Sequence, residues 1–378
     1  MRRDYEAIVL GLGGIGSGAL YWLSRRLGPE VLGLEQFELG HDRGGSQDHS
    51  RIIRYSYHSP EYVQLALGAY NAWKLVEEES GKELVVRCGG LDLFPPDGPD
   101  SIDDYRDSLG TVGIPFEVLE SSEIRRRWPQ FQIADGVSGI YQRDGGLAKA
   151  ADCNAAHQSL ARQRGASLLD RTEVQAISLV GGEFEISTEM GGFRTGRLVI
   201  ASGAWTNQLL GYLGVQLPLR VTQEQVTYFH PEDASAVAAA RFPVWIWYDE
   251  PGYYGFPLHP TDGVKVAHDL GGHEVTAESR TFEPDPDNLA GVRRFCREHL
   301  PALERLNYTK TCLYTLTPDR DFLLDAVPGM ENAWLAVGAG HAFKFASHLG
   351  RILSELALDG TTRADTEAFR ASRDVLEG

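Results

Sequence analysis

Several groups of residues in this chain stand at spacings that can do chemistry. Gly11, Gly13 and Gly16 in GLGGIG follow the short apolar run AIVL (Ala7 to Leu10) and open a stretch whose apolar residues Ile15, Ala19, Trp22, Leu23 and Leu27 recur at helical spacing. Strand, tight turn and helix in that order form a cradle for a pyrophosphate. Gly11 permits the turn, Gly13 lets backbone approach the phosphates, Gly16 lets helix pack on strand, and the helix N-terminus presents unpaired N–H groups. Gly14 and Ile15 lie in the same cradle. A second strand, VLGL, ends at Glu35, nineteen residues after Gly16, where a carboxylate can accept hydrogen bonds from a ribose. Dinucleotide binding follows from this unit, but the motif alone does not choose between NAD and FAD.

The elements that must position these groups choose between them. An NAD-binding chain would continue promptly into further strand–helix units, whereas Gly40 to Arg54 is a polar loop, GHDRGGSQDHSRIIR, with three arginines and two histidines. An anionic or redox-active group is expected beside it. Later, RLVIASGAW (Arg197 to Trp205) reads as a buried strand running into a Gly-Ala turn. WLAVGAGHAFKFASHLGRILSELALDG (Trp334 to Gly360) reads as strand, glycine turn and amphipathic helix, with Phe345, Leu349, Ile352, Leu353 and Leu356 on one side. The helix start could stabilise a reduced, anionic flavin. GAGHAF has phenylalanine at the final glycine position, so a second dinucleotide cradle is absent from that turn.

Composition excludes other classes. At 378 residues the chain exceeds the size at which one core usually stops growing, so two domains are expected. Hydrophobic residues at 42% and charged residues at 24% describe an ordinary globular enzyme. A net charge of −17 would repel polyphosphates and anionic membrane surfaces, so neither nucleic acid nor membrane is an expected partner. The four cysteines, Cys88, Cys153, Cys296 and Cys312, form no C-x-x-C pair, and no metal site is expected. Apolar residues begin at Tyr5, no run reaches membrane-spanning length, and VLEG is not a peroxisomal address, so the cytoplasm is the expected compartment.

Taken together, GLGGIG with Glu35, SRIIRYSY (Ser50 to Tyr57), RWP (Arg127 to Pro129), ASGAW (Ala201 to Trp205), YYGFP (Tyr253 to Pro257), VKVAH (Val264 to His268), CLYT (Cys312 to Thr315) and GHAFKFA (Gly340 to Ala346) resemble the monomeric sarcosine oxidase and N-methyltryptophan oxidase family of D-amino-acid-oxidase-like flavoproteins. The resemblance spans nearly the whole chain. It implies FAD bound by the glycine cradle and by Ser50, Arg51, Val174, Gly203, Trp205, Gly340, His341, Phe343 and Lys344, with Cys312 in the place of the cysteine that bonds the flavin. Arg54 and Lys344 match the pair that holds a substrate carboxylate, a task suited to a guanidinium and a nearby ammonium. Arg51 matches the arginine beside the flavin ring, Lys265 the lysine that promotes electron transfer to oxygen, and Tyr254 and Tyr314 the tyrosines of the substrate cavity. The family carries a histidine four residues after that lysine. Here the position is Asp269, with His268 just before it, so either His268 takes over after a backbone shift or the pocket gains a carboxylate. Trp245 and Trp247 in FPVWIWYDE fall where the substrate wall is expected.

The resemblance implies oxidation of the C–N bond of a secondary or N-methyl amino acid with oxygen as acceptor, giving an imine and hydrogen peroxide. No obligate side-chain base is needed if the amine binds unprotonated. A same-fold amine or amino-acid dehydrogenase or oxidase acting on another primary or cyclic amine with a different electron acceptor, and a flavin-containing binding protein without turnover, remain the alternatives. Each residue also has a plainer reading: Cys312 as a small core residue, Arg51 and Arg54 bound to loop carbonyls, Lys265 on an exposed strand face, Trp245 and Trp247 as core, His268 and His341 as structural histidines, and Arg125 to Arg127 as a solvated helix face beside a buried Trp128. Arg51 and Arg54 share a face if their segment is helical and part company if it is a strand. The expected architecture is α/β with mixed α+β character: a Rossmann-like FAD domain from residues 1–85, 145–215 and 320–378, and a discontinuous antiparallel-sheet substrate domain from 86–144 and 216–319. The chain is expected to be a monomer or weak oligomer.

Overall fold

The computed structural model describes residues 2–376. Its central sheet has six strands in the order Ser167–Leu169, Val31–Leu34, Ala7–Leu10, Leu198–Ile200, Ala333–Val337 and Leu323–Ala326. All neighbours are parallel except the last pair. Ala7–Leu10, Val31–Leu34, Leu198–Ile200 and Ala333–Val337 are buried along their whole length, which is why they read as unbroken apolar runs rather than alternating ones. Helices Gly14–Leu27, Ala150–Gln163 and Ala346–Asp359 pack with this sheet. The first and last approach closely through small residues: a Cβ on Gly18 would meet the Ala346 carbonyl oxygen at 2.5 Å, and one on Gly350 would collide with the Gly18 backbone. The expected stripe on the last helix is present, with Phe345, Leu349, Ile352 and Leu353 fully enclosed.

A second sheet roofs the first. Its nine strands include, in order, His273–Val275, Arg220–His230, Gly263–His268, Tyr253–His259, Val244–Trp247, Gly90–Phe94, Ser138–Gln142 and Glu117–Glu120, with Arg305–Leu316 also paired to Arg220–His230. It is not wholly antiparallel, because Val244–Trp247 runs parallel to Gly90–Phe94. Those two strands come from distant parts of the chain and meet without a hairpin, so no tight turn dictates their direction. Arg51–Ile53 pairs with Gly146–Ala148 in a small three-stranded sheet. The segment is therefore a strand, and Arg51 and Arg54 diverge as the strand reading expects. Ser121–Arg127 is a short surface helix whose three arginines pair with Asp135, Glu123 and Glu117, while Trp128 is buried. No helix among the described residues is long and apolar enough to cross a membrane.

Candidate active site

A cavity of ≈ 800 Å³ lies between the two sheets, within the usual range of about 300–1,000 Å³ for ligand sites. At one end it is lined by Gly11 to Ile15, Glu35, Val174, Gly203 and Trp205, and at the other by Arg54, Tyr57, Tyr248, Tyr254, Tyr314 and Lys344.

The glycine end has no room for side chains. Gly11 has φ +86°, and a Cβ there would stand 2.7 Å from the Ala201 carbonyl oxygen. A Cβ on Gly13 would meet Ser46 Oγ at 2.8 Å, and one on Gly16 would collide with the Gly11 carbonyl. No acidic residue stands in the first turn of Gly14–Leu27, so the helix's own side chains leave the partial positive charge of that end open to an anion. Glu35 is buried and accepts from Leu12 N at 2.8 Å and Phe37 N at 3.1 Å. Its carboxylate thus braces the loop as well as facing the cavity. These features fit an FAD pyrophosphate and ribose.

Lys265 overturns the exposed-strand reading. Val264, Lys265 and Val266 are all buried, because the roof sheet is covered on both faces and alternation there separates two interiors rather than core from solvent. Lys265 Nζ donates to Asp48 Oδ2 at 2.8 Å and to the Ser50 carbonyl at 2.6 Å, and it lies 4.1 Å from the Phe256 ring centre. Burial lowers the ammonium to about 8 although Asp48 pulls it back up. Burial alone would raise the Asp48 carboxyl, but Lys265 and Arg51 hold it well below the usual carboxylate range. Both partners are therefore charged at neutral pH.

The plainer reading holds for much of Arg51, whose guanidinium donates to the carbonyls of Gly45, Gln47 and Ser50 at 2.8–2.9 Å while still lining the cavity. It does not hold for Arg54, which donates from Nη1 to Asp92 Oδ1 at 2.8 Å and to Tyr248 OH at 2.5 Å. Arg54 Nε and the Tyr57 hydroxyl are buried without a partner. Lys344 Nζ donates only to the His341 carbonyl, at 3.1 Å, and Trp73 Nε1 holds the Lys344 carbonyl at 2.7 Å. Burial, then the nearby Arg54, lower Lys344 to about 7. The wall opposite contains the Tyr314 ring, against which Gly340 (φ +83°) leaves no space for a Cβ.

His341 packs 4.5 Å from Phe322, and burial followed by Lys344 holds its imidazole far below the ordinary value, so it is neutral. His268 stays in register with Tyr253 and packs on that ring at 5.3 Å. Asp269 also lines the cavity, 3.8 Å from Arg320, with its side chain 45% exposed. The pocket therefore gains a carboxylate beside a half-buried histidine. Trp245 is fully buried between Phe131 and Phe295 and forms no part of the cavity wall. The expected substrate wall is instead Ile246 and Tyr248, on the opposite side of the same strand, with an edge of Trp247. Cys312 is a free, half-buried thiol on Arg305–Leu316, opposite Glu224, and its neighbours Leu313, Tyr314 and Thr315 line the cavity. Burial pushes the thiol up to about 11, against the pull of Arg51.

Sequence reasoning missed Asp48, Asp92, Tyr57 and Tyr248. A signal existed for Asp92: a single acid inside the apolar strand run GLDLF calls for a buried cationic partner. Tyr248 carried none.

The family described as FAD dependent oxidoreductase matches residues 6–356. The chain belongs to that family. It is 30% identical to a monomeric sarcosine oxidase of Arthrobacter sp. (strain TE1826), across 100% of this chain and 98% of that protein. It is 35% identical to one of Streptomyces avermitilis, across 96% of each. Among solved structures it superposes on NikD, an unusual amino acid oxidase essential for nikkomycin biosynthesis, with TM-score 0.87 and 25% identity, covering 98% of both chains.

Proposed function

We propose that the protein oxidises the C–N bond of a secondary or N-methyl amino acid with FAD, using oxygen as acceptor and releasing hydrogen peroxide. The observation that carries this reading is the cation site at one end of the cavity. Arg54 Nε and Tyr57 OH have no partner, and the Lys344 ammonium has a single carbonyl. Buried donors of this kind are costly unless a ligand satisfies them, and a carboxylate supplies the complementary acceptors.

FAD, when bound, supplies the two-electron chemistry. Around it the chain orients and excludes. Arg54 and Lys344 hold the carboxylate, and Tyr254, Tyr314 and Tyr248 wall the amine away from water. Lys265 keeps a fixed positive charge, seated by Asp48, on the cofactor side of the roof sheet, where negative charge develops as oxygen is reduced. Arg51 braces the loop that carries Asp48. Cys312 is the attachment residue, its thiol able to lose a proton only with help from Arg51. His268 and Asp269 tune the pocket in place of the family histidine. The division into an FAD domain (1–85, 145–215, 320–378) and a substrate domain (86–144, 216–319), a monomeric state and a cytoplasmic location complete the reading.

Acid precipitation of the purified protein, together with anaerobic addition of N-methyl amino acids, tests it. Yellow chromophore in the pellet that is released by Cys312→Ala, and bleaching by an N-methyl amino acid, are expected. A flavin that no secondary amine bleaches would overturn the activity, and a flavin wholly in the supernatant would overturn the role of Cys312.

A further inference from the structure

Beside the Lys265 pair, His49, His259 and Asp262 bring three ligand atoms within 4.8 Å of one another. His49 Nε2 lies 3.1 Å from Asp262 Oδ2, and His259 Nδ1 lies 2.7 Å from the same oxygen. His49 comes from the polar loop, whereas His259 and Asp262 flank the turn between Tyr253–His259 and Gly263–His268. The two imidazoles stack at 4.3 Å, 21° from parallel. Two chain segments, the polar loop and this turn, are thus joined through one carboxylate oxygen.

From this geometry we propose that His49, His259 and Asp262 bind a divalent transition-metal ion of the zinc type. Two imidazole nitrogens and one carboxylate oxygen are a donor set suited to zinc, with a water in the fourth position. Bonds of about 2.0–2.2 Å to such an ion place neighbouring ligand atoms about 3.3 Å apart. The observed nitrogen–oxygen separations of 3.1 and 2.7 Å are close to that value, and binding requires the two stacked rings to rotate out of parallel so that both nitrogens aim at one ion. The carboxylate is already aimed: Tyr308 OH donates to Asp262 Oδ1 at 2.8 Å, so Oδ2 faces the histidines, and Asn307 holds the Asp262 carbonyl at 3.0 Å. Thr261 Oγ1, which donates to Oδ2 and lies 3.2 Å from His259 Nδ1, has to turn aside when an ion binds. Outer partners of this kind orient the ligands of established metal sites. The histidine side chains are each 37% exposed, so an ion can reach them.

The site would clamp the polar loop to the turn after Tyr253–His259. His49 follows Asp48, whose carboxylate seats Lys265, and Tyr228 links the two clusters by donating to Asp48 Oδ1 at 2.6 Å and stacking on Tyr308 at 4.6 Å. The proposal is independent of the substrate assignment.

The test is calorimetric titration of EDTA-treated, full-length flavoprotein with Zn²⁺, repeated with Co²⁺ to read coordination by its visible spectrum. One Zn²⁺ per chain is expected, weakened at least about tenfold by His49→Gln or His259→Gln and lost in the double variant. The melting temperature should rise with Zn²⁺ in the wild type and not in the double variant. Retention of the flavin spectrum and circular dichroism in the variants establishes that they are folded. No stoichiometric binding, or an isotherm unchanged in the double variant, as scattered surface carboxylates would give, overturns the proposal.

Discussion

The strand that carries Lys265 and the turn that carries Lys344 each bury an ammonium beside the same cavity, and they satisfy it differently. Lys265 meets a carboxylate, a carbonyl and an aromatic face. Lys344 meets one carbonyl and the field of Arg54, whose own guanidinium is bound to Asp92. Burial lowers both, to about 8 where Asp48 opposes it and to about 7 where a second cation adds to it. A cation with a resident counter-ion serves as a permanent field. One without a direct counter-ion is a receptor for an anion that arrives from outside.

Substitution should separate these two behaviours most sharply at Lys265. Lys265→Met leaves the buried Asp48 carboxylate with only Arg51 at 3.4 Å and the Tyr228 hydroxyl, so the cost stays below that of a fully broken buried pair, about 3–5 kcal/mol. A fall in stability is expected, partly restored in Lys265→Met/Asp48→Asn. In whichever variant retains flavin, stopped-flow reoxidation by oxygen should slow by about 10²–10³-fold, while anaerobic reduction by the amine stays within a few-fold of wild type. Unchanged reoxidation would make the pair structural and favour an enzyme that hands its electrons to a carrier.

Lys344→Met should show the opposite pattern. It removes a poorly satisfied buried cation, so stability should hold or rise. Affinity for the substrate carboxylate should fall by about 10–100-fold, the scale of a charged hydrogen bond. Equilibrium unfolding and the dissociation constant of acetate, read from the flavin spectrum, measure the two effects. Loss of stability with affinity intact would remove Lys344 from the carboxylate site.

The pH dependence sharpens the same contrast. Lys344 is lowered in the fold from 10.5 to about 7, so the unfolded chain binds more protons between those values and the ligand-free protein should gain stability as pH rises through that window. Anion affinity runs the other way. It is full below about 7, where the ammonium is charged, and weakens above it. Acetate titrations across pH 6–9 should show this loss in the wild type and not in Lys344→Met.

How far such behaviour was legible in the sequence depended on whether a side chain's meaning was local. GLGGIG and Glu35 could be read because the cradle is built within one continuous strand–turn–helix–strand stretch. The last helix could be read because its apolar stripe repeats every turn. Lys265 between two valines was ambiguous, since alternation cannot tell solvent from a second interior. The partners Asp48 and Asp92 lie 217 and 38 residues from the cations they meet, a relation set by sheet order rather than spacing. Trp245 misled for a related reason, as alternation placed it on the core side of a strand whose other side faces the cavity, whereas Trp247 keeps an edge on the cavity wall.

The smallest expected effect lies at Asp269, which stands in the field of both Arg320 and Lys344. Its carboxylate raises Lys344 slightly and repels an incoming carboxylate, and the two effects oppose one another. Below the Lys344 transition the ammonium is charged in either case, so Asp269→Asn should tighten acetate binding, by about 5-fold at most for a pair open to cavity water. Above the transition the gain should vanish, because the variant loses its ammonium at a lower pH than the wild type. Acetate titrations at pH 6 and 8 would therefore cross in sign or converge. A uniform gain at both values would mean that Asp269 acts on the ligand directly and leaves the titration of Lys344 untouched.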